Sequence, residues 1–212
     1  MYTQLISFVS WILYFNYFII RHKKDVNNAN NLTSLTHCSL STLIFLFTSY
    51  YNTSNLEVLD IGYNLSSSYF ASDMIKLLFI PKYRLDTYIY FFHHILSIYM
   101  LGFLKNEDYR LWVSKIVFWG ELSNIPSFFV YHILHNNDSI ISKYLPMIKN
   151  IQVLLYGYIR IFVIGYLALN NPFKNNEKIF LYNAYIMYFI GFFWSLILFK
   201  KNNYMPIRRI FF

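Results

Sequence analysis

The chain has 212 residues, of which 57% are hydrophobic, 22% aromatic and only 13% charged. Soluble domains carry about 25% charged residues, so an ordinary cytosolic domain is excluded and a polytopic membrane protein is expected. The formal net charge of +8 does not point to nucleic acid, because the basic residues gather at the ends of apolar runs, as membrane orientation requires.

The first apolar run, Leu5 to Ile20, is followed at once by Arg21, Lys23 and Lys24, with no basic segment ahead of it. It reads as a retained span and not a cleaved signal. Further runs cover about 34–51, 56–80, 85–104, 110–134, 147–169 and 179–199. At 1.5 Å per residue each can cross a hydrocarbon core of about 30 Å, sometimes with tilt. Pro81, Pro146, Pro172 and Pro206 lie at or near proposed boundaries, and Pro126 falls inside the fifth span, where a kink is expected. The connections are too short for a further domain, and β-barrel alternation is absent. The expected fold is therefore all-α: a transmembrane bundle of about seven spans. The division is 1–26 for the first helix and its basic loop, 27–200 for the main membrane domain, and 201–212 for a short basic tail.

Orientation follows from Lys and Arg. One side holds Arg21, Lys23 and Lys24, then Lys82 and Arg84, then Lys143 and Lys149, and finally Lys200, Lys201, Arg208 and Arg209 in the tail. The other holds only Lys105, Arg110, Lys174 and Lys178. The bias places the amino terminus lumenal and the carboxyl terminus cytosolic. Sequons at Asn31, Asn52, Asn64 and Asn137 are treated as chance.

Ionisable residues inside spans are costly in lipid and usually face a bundle interior or cavity. Helical rise puts His93 about 12 Å from the cytosolic edge of span four, near the midplane. His94 points about 100° away from it, while Ser97, four residues on, shares the face of His93. Span three carries Tyr69 and Asp73, span five Glu121, Ser123 and Asn124, span six Arg160, and span two His37. Comparable depths imply a polar shaft opening towards the cytosol. Glu121 and Arg160, on consecutive spans, are expected to pair directly. The plain structural alternatives are that pair, a Tyr69–Asp73 hydrogen bond, and Ser97, Ser123 and Asn124 as interhelical glue.

Imidazole at such a site can move a proton near neutral pH or attack a thioester, with a carboxylate holding its tautomer. The catalytic candidates are therefore His93, His94, Asp73 and Glu121. The binding candidates are His37, Tyr69, Ser97, Asn124 and Arg160. No metal centre is expected: Cys38 is the single cysteine, the chain has six histidines, and the His132/His135 pair reads as interfacial. No bound cofactor is expected either, and acyl-CoA is the candidate co-substrate. A transporter repeat and a channel filter are not visible.

Several short stretches resemble the TLC-domain family, which groups ceramide synthases, translocon-associated membrane proteins and smaller lipid-related members. HHILS (93–97) resembles its HHxxS/T signature, and GELSNIPSFF (120–129) a Glu-x-Ser/Thr stretch of the small members. SSYFASDM (67–74) resembles a GYFxxD segment, and SLTHC (34–38) an S-x-x-H pattern. Arg160 and Trp194 match an Arg and a Trp of the last two helices. The ordered set covers about residues 27–200 and implies six helices around a polar cavity in the endoplasmic reticulum or a related membrane. The HD pair and further Asp of ceramide synthases are missing from 109–129, so the small members are the nearer likeness. The implied function is lipid homeostasis through headgroup binding. The alternatives are an acyl-CoA-dependent acyltransferase using His93, and a membrane chaperone or translocon adaptor. The implied partners are membrane lipid and acyl-CoA, and no nucleic acid.

Overall fold

The computed structural model of the chain describes residues 2–21, 25–51, 55–79, 85–136, 143–172 and 178–203, and all regular structure among them is helical. Its helices occupy the seven predicted runs. They are α1 (Tyr2–Arg21), α2 (Val26–Tyr50), α3 (Leu56–Phe79) and α4 (Leu85–Leu101, continued by a 3₁₀ turn, Gly102–Lys105). Then come α5 (Glu107–Asn136), α6 (Leu145–Leu169) and α7 (Lys178–Asn203). Pro81, Pro206, the sequons at Asn52 and Asn137, and the basic residues Lys23, Lys24, Lys82, Arg84, Lys174, Arg208 and Arg209 lie outside the described residues.

Five of these helices, α1, α2, α4 with its 3₁₀ turn, α6 and α7, are long and apolar enough to cross a membrane. Helices α3 and α5 reach 24 and 30 residues but are more polar. Polar side chains of their middle turns are directed into the protein: Ser66, Ser72 and Asp73 of α3 are buried, as are Ser114, Glu121 and Ser123 of α5. The chain is a multi-spanning membrane-helix bundle in which the most polar helices are shielded by the rest.

The first turn of α2 departs from the hydropathy reading. The helix starts eight residues before the predicted run because Asp25 caps it, its carboxylate accepting from the Asn28 backbone N–H at 3.0 Å. The stretch VNNANNLTS is polar yet not a loop: Asn28 and Asn31 are buried, and Asn31 Nδ2 donates to the Phe128 carbonyl of α5 at 3.0 Å. Its burial removes the Asn31 sequon from the surface.

Neighbour relations run from α2 to α3, α3 to α4, α4 to α7, α7 to α6, α6 to α5, and α5 back to α2 along the most extensive contact of the molecule. Helix α1 packs on α2 and α3, with Trp11 its buried residue. Donors on side chains tie helices to carbonyls of their neighbours: Trp11 Nε1 to Leu65 at 3.0 Å, Trp112 Nε1 to Leu167 at 2.8 Å, and Asn183 Nδ2 to Leu96 at 3.3 Å. The apolar core, with Phe45, Leu59, Leu101, Leu104, Trp112 and Val113, fills the end of the bundle where α4 turns into α5. It extends through Trp11, Tyr69 and Phe70 to the buried ionisable residues.

Candidate functional site

A cavity of about 60 Å³ lies among α3 to α7. Its polar lining is His93 and Ser97 of α4, Glu121 and Asn124 of α5, and Arg160 of α6; Phe70, Met100 and Ile164 are among its apolar walls. That volume holds a few waters or a small polar group.

Arg160 sits in a π-helical stretch of α6, Tyr158–Val163. The extra residue in a π turn rotates the next turn by about 100° and re-aims one side chain without breaking the helix. The guanidinium is buried and reaches α5 with three donated hydrogen bonds. Nε bonds Ser123 Oγ at 2.9 Å, and Nη2 bonds the Gly120 carbonyl at 2.9 Å and Asn124 Oδ1 at 3.1 Å. Nη1 makes no hydrogen bond among the described residues. The side-chain stem crosses α7 at Gly191, where a Cβ would meet Arg160 Cδ at 3.0 Å.

The expected Glu121–Arg160 ion pair does not form. Both groups line the cavity, but Arg160 is consumed by oxygens of α5 that sit one to three residues from Glu121. Glu121 turns instead towards α2: Cys38 Sγ donates to its Oε2 at 2.8 Å, and His37 Nδ1 lies 3.9 Å from the same oxygen. Depth along the axis is a sound guide, while azimuth, fixed by packing on α2, decides the partner.

Asp73 and His94 form a second cluster that does not line the cavity. His94 Nε2 meets Asp73 Oδ2 at 2.9 Å, and Lys76 Nζ meets Asp73 Oδ1 at 2.8 Å, all three largely buried. The Tyr69–Asp73 alternative also fails. The Tyr69 hydroxyl donates to Ser34 Oγ at 2.7 Å, and its ring stacks on His37 at 3.8 Å between centroids. Phe70 separates the clusters, stacking on His94 at 5.0 Å and meeting His37 edge-on at 5.2 Å. The single polar shaft is thus two polar groups divided by an aromatic layer.

The adjacent histidines are divided in the same way. His94 is held by a carboxylate; His93 lines the cavity, its Nδ1 buried without a hydrogen-bond partner among the described residues, and its ring edges onto Trp194 at 5.4 Å. Ser97 shares the cavity face of His93, as their spacing predicts, and donates to the His93 carbonyl at 2.8 Å. Its bond is within α4, so it is not glue between helices. The side chain of His135 lies outside the described residues.

Two residues have roles that the sequence pattern did not assign. Lys76 neutralises Asp73, and the i,i+3 spacing on one helix was an available signal. Cys38 adjoins His37 and reaches Glu121 across 83 positions of sequence, for which no local pattern exists. Donor atoms of His37, Cys38 and Glu121 lie within 4.8 Å of one another, a spacing compatible with metal ligation.

Comparison with protein-family models and with curated proteins gives no match for this chain.

Proposed function

We propose that this protein acts in lipid homeostasis by binding the polar headgroup of a membrane lipid in the cavity among α3 to α7. The reading includes a TLC-like ring of six helices, α2 to α7, of which α3 to α7 line the cavity and α2 closes the order of contacts, and residence in the endoplasmic reticulum or a related membrane. The observation that carries it is the polarity of the lining. Arg160 offers an uncommitted Nη1, Glu121 a carboxylate, and Asn124 and Ser97 neutral partners, all within the depth of a membrane helix. Such groups are costly in lipid and are retained where they bind something polar. On the outer face, α4 and α7 form an apolar groove of about 480 Å³ lined by Tyr88, Phe92, Phe189 and Phe193, a bed for the acyl chain of the same lipid. Purification in mild detergent followed by mass spectrometry of bound lipid tests this. One headgroup class should be enriched over the membrane extract and lost in Arg160→Gln. Identical lipid profiles for the two proteins defeat the reading.

A second reading, acyl transfer from acyl-CoA through His93, is favoured by the place of this histidine in the cavity lining. In that step a ring nitrogen of His93 attacks the thioester carbonyl, and the CoA thiolate leaves and takes the proton that the acylated imidazole gives up. A lipid amine or alcohol then displaces the imidazole and loses its own proton. It is the weaker reading because the carboxylate-held imidazole belongs to His94, away from the cavity, so His93 lacks the orienting partner that nucleophile activation usually has. Labelled acyl-CoA and a lipid extract give no product on the first reading, and a His93-dependent product on the second.

A further inference from the structure

We infer that His37, Cys38 and Glu121 form a zinc-binding site on the α2–α5 contact, sharing Glu121 alone with the cavity lining. Three observations converge. The imidazole of His37 is wholly buried, and neither ring nitrogen has a hydrogen-bond partner among the described residues. A buried polar group left unsatisfied is destabilising, and metal ligation removes that cost for the nitrogen that binds. Its ring cannot turn away, because Tyr69 stacks on its face at 3.8 Å while Trp11 and Phe70 press on it edge-on at 5.9 and 5.2 Å. Nδ1 is thereby kept 3.9 Å from Glu121 Oε2.

The second observation is the charge of Glu121. Its carboxylate lies deep in the bundle and forms no ion pair with Lys or Arg among the described residues, since Arg160 bonds elsewhere. A thiol hydrogen bond from Cys38 is weak compensation for a carboxylate in lipid. A divalent ion bound by this carboxylate, a Cys38 thiolate and a neutral His37 makes the set neutral. The thiol proton leaves to solvent on binding, and the ion takes its place between sulfur and oxygen.

The third is spacing. Zinc takes Cys sulfur at about 2.3 Å and His nitrogen or carboxylate oxygen at about 2.0–2.2 Å in a tetrahedron, which sets donors roughly 3.4 Å apart. The Oε2–Nδ1 distance is 3.9 Å and the Oε2–Sγ distance 2.8 Å, so small shifts on either side of that value admit the ion. A mixed nitrogen, sulfur and oxygen set suits zinc better than magnesium or calcium, which take oxygen ligands. Glu121 also faces the cavity, so a fourth position is reached from there.

Cys38 is the only cysteine of the chain, which makes the test specific. The full chain is purified without a polyhistidine tag or chelator, and its metal is counted by mass spectrometry. Near-stoichiometric zinc is expected in the natural protein, falling to background in Cys38→Ser and Glu121→Gln. Loss of zinc through poor folding of those variants is separated by a second measurement, in which the natural protein is stripped with a chelator and reloaded with cobalt. A sulfur-to-cobalt charge-transfer band in the near ultraviolet and a raised melting temperature are the expected results. Zinc retained undiminished in Cys38→Ser, or a natural protein that holds no zinc and shows no sulfur band with cobalt, overturns the site.

Discussion

Arg160 is held by three acceptors of one neighbouring helix, and this is what separates it from Glu121. A hydrogen bond to a charged group contributes about 1.5–3 kcal/mol, and a guanidinium fork that serves several acceptors has no substitute in Lys. Arg160→Lys should therefore lower the melting temperature in detergent and lose bound lipid, although the charge is kept. The same geometry predicts the outcome of a charge exchange. Glu121→Arg combined with Arg160→Glu should be no more stable than the worse single variant, because the two side chains answer to different partners; recovery of stability in the double variant would show an ion pair that this arrangement denies. Asp73 and His94 are the opposite case, a direct contact at 2.9 Å. Breaking a buried pair on one side costs about 3–5 kcal/mol in soluble proteins. A cycle of Asp73→Asn and His94→Gln should show a coupling of about 0.5–3 kcal/mol in thermal unfolding, and simple additivity would place the two groups out of contact.

At the scale of helices, Gly191 of α7 is the position on which the placement of Arg160 depends. A methyl there would stand 3.0 Å from Arg160 Cδ, closer than packed carbons tolerate, so the arginine stem must shift. Gly191→Ala should reduce lipid retention more than it reduces folding yield, and an unchanged bound-lipid profile would show that the stem has room. Helices as elements were largely legible: apolar length alone located all seven runs, and the ends moved by only a few residues except at α2. That exception has a physical cause, since Asp25 caps the helix and Asn31 gains a partner on α5, and hydropathy cannot register a partner. The π stretch around Arg160 was illegible for a related reason, because nothing in Tyr158–Val163 breaks an α-helix locally. Which residues would be buried was readable from charge inside an apolar run. Which would meet was not: His93 and His94 differ by one position, yet one reaches the cavity and the other Asp73.

Across the whole molecule, the arrangement is a layering of polarity. The apolar core seals the end where α4 turns into α5, the cavity and the two polar clusters adjoin it, and the side chains of α1, α6 and α7 that point outward are mostly Leu, Ile, Phe and Tyr. An ion or headgroup then has its approach on the other side or along the α4–α7 groove, and the orientation of the bundle decides which compartment supplies it. The lysine and arginine bias, eleven residues against four, predicts a lumenal amino terminus and a cytosolic carboxyl terminus. The natural protein is a convenient background for testing it, because its one cysteine is buried at 3% exposure and should resist a membrane-impermeant maleimide. Tyr51, at the end of α2, is 77% exposed, and Lys201, in the last turn of α7, is exposed as well. In sealed microsomes Lys201→Cys should react at once, and Tyr51→Cys only after the membrane is permeabilised. Early labelling of Tyr51→Cys with protection of Lys201→Cys would invert the bundle. It would move the open side of the polar layer to the lumen and remove cytosolic acyl-CoA from the substrates able to reach His93.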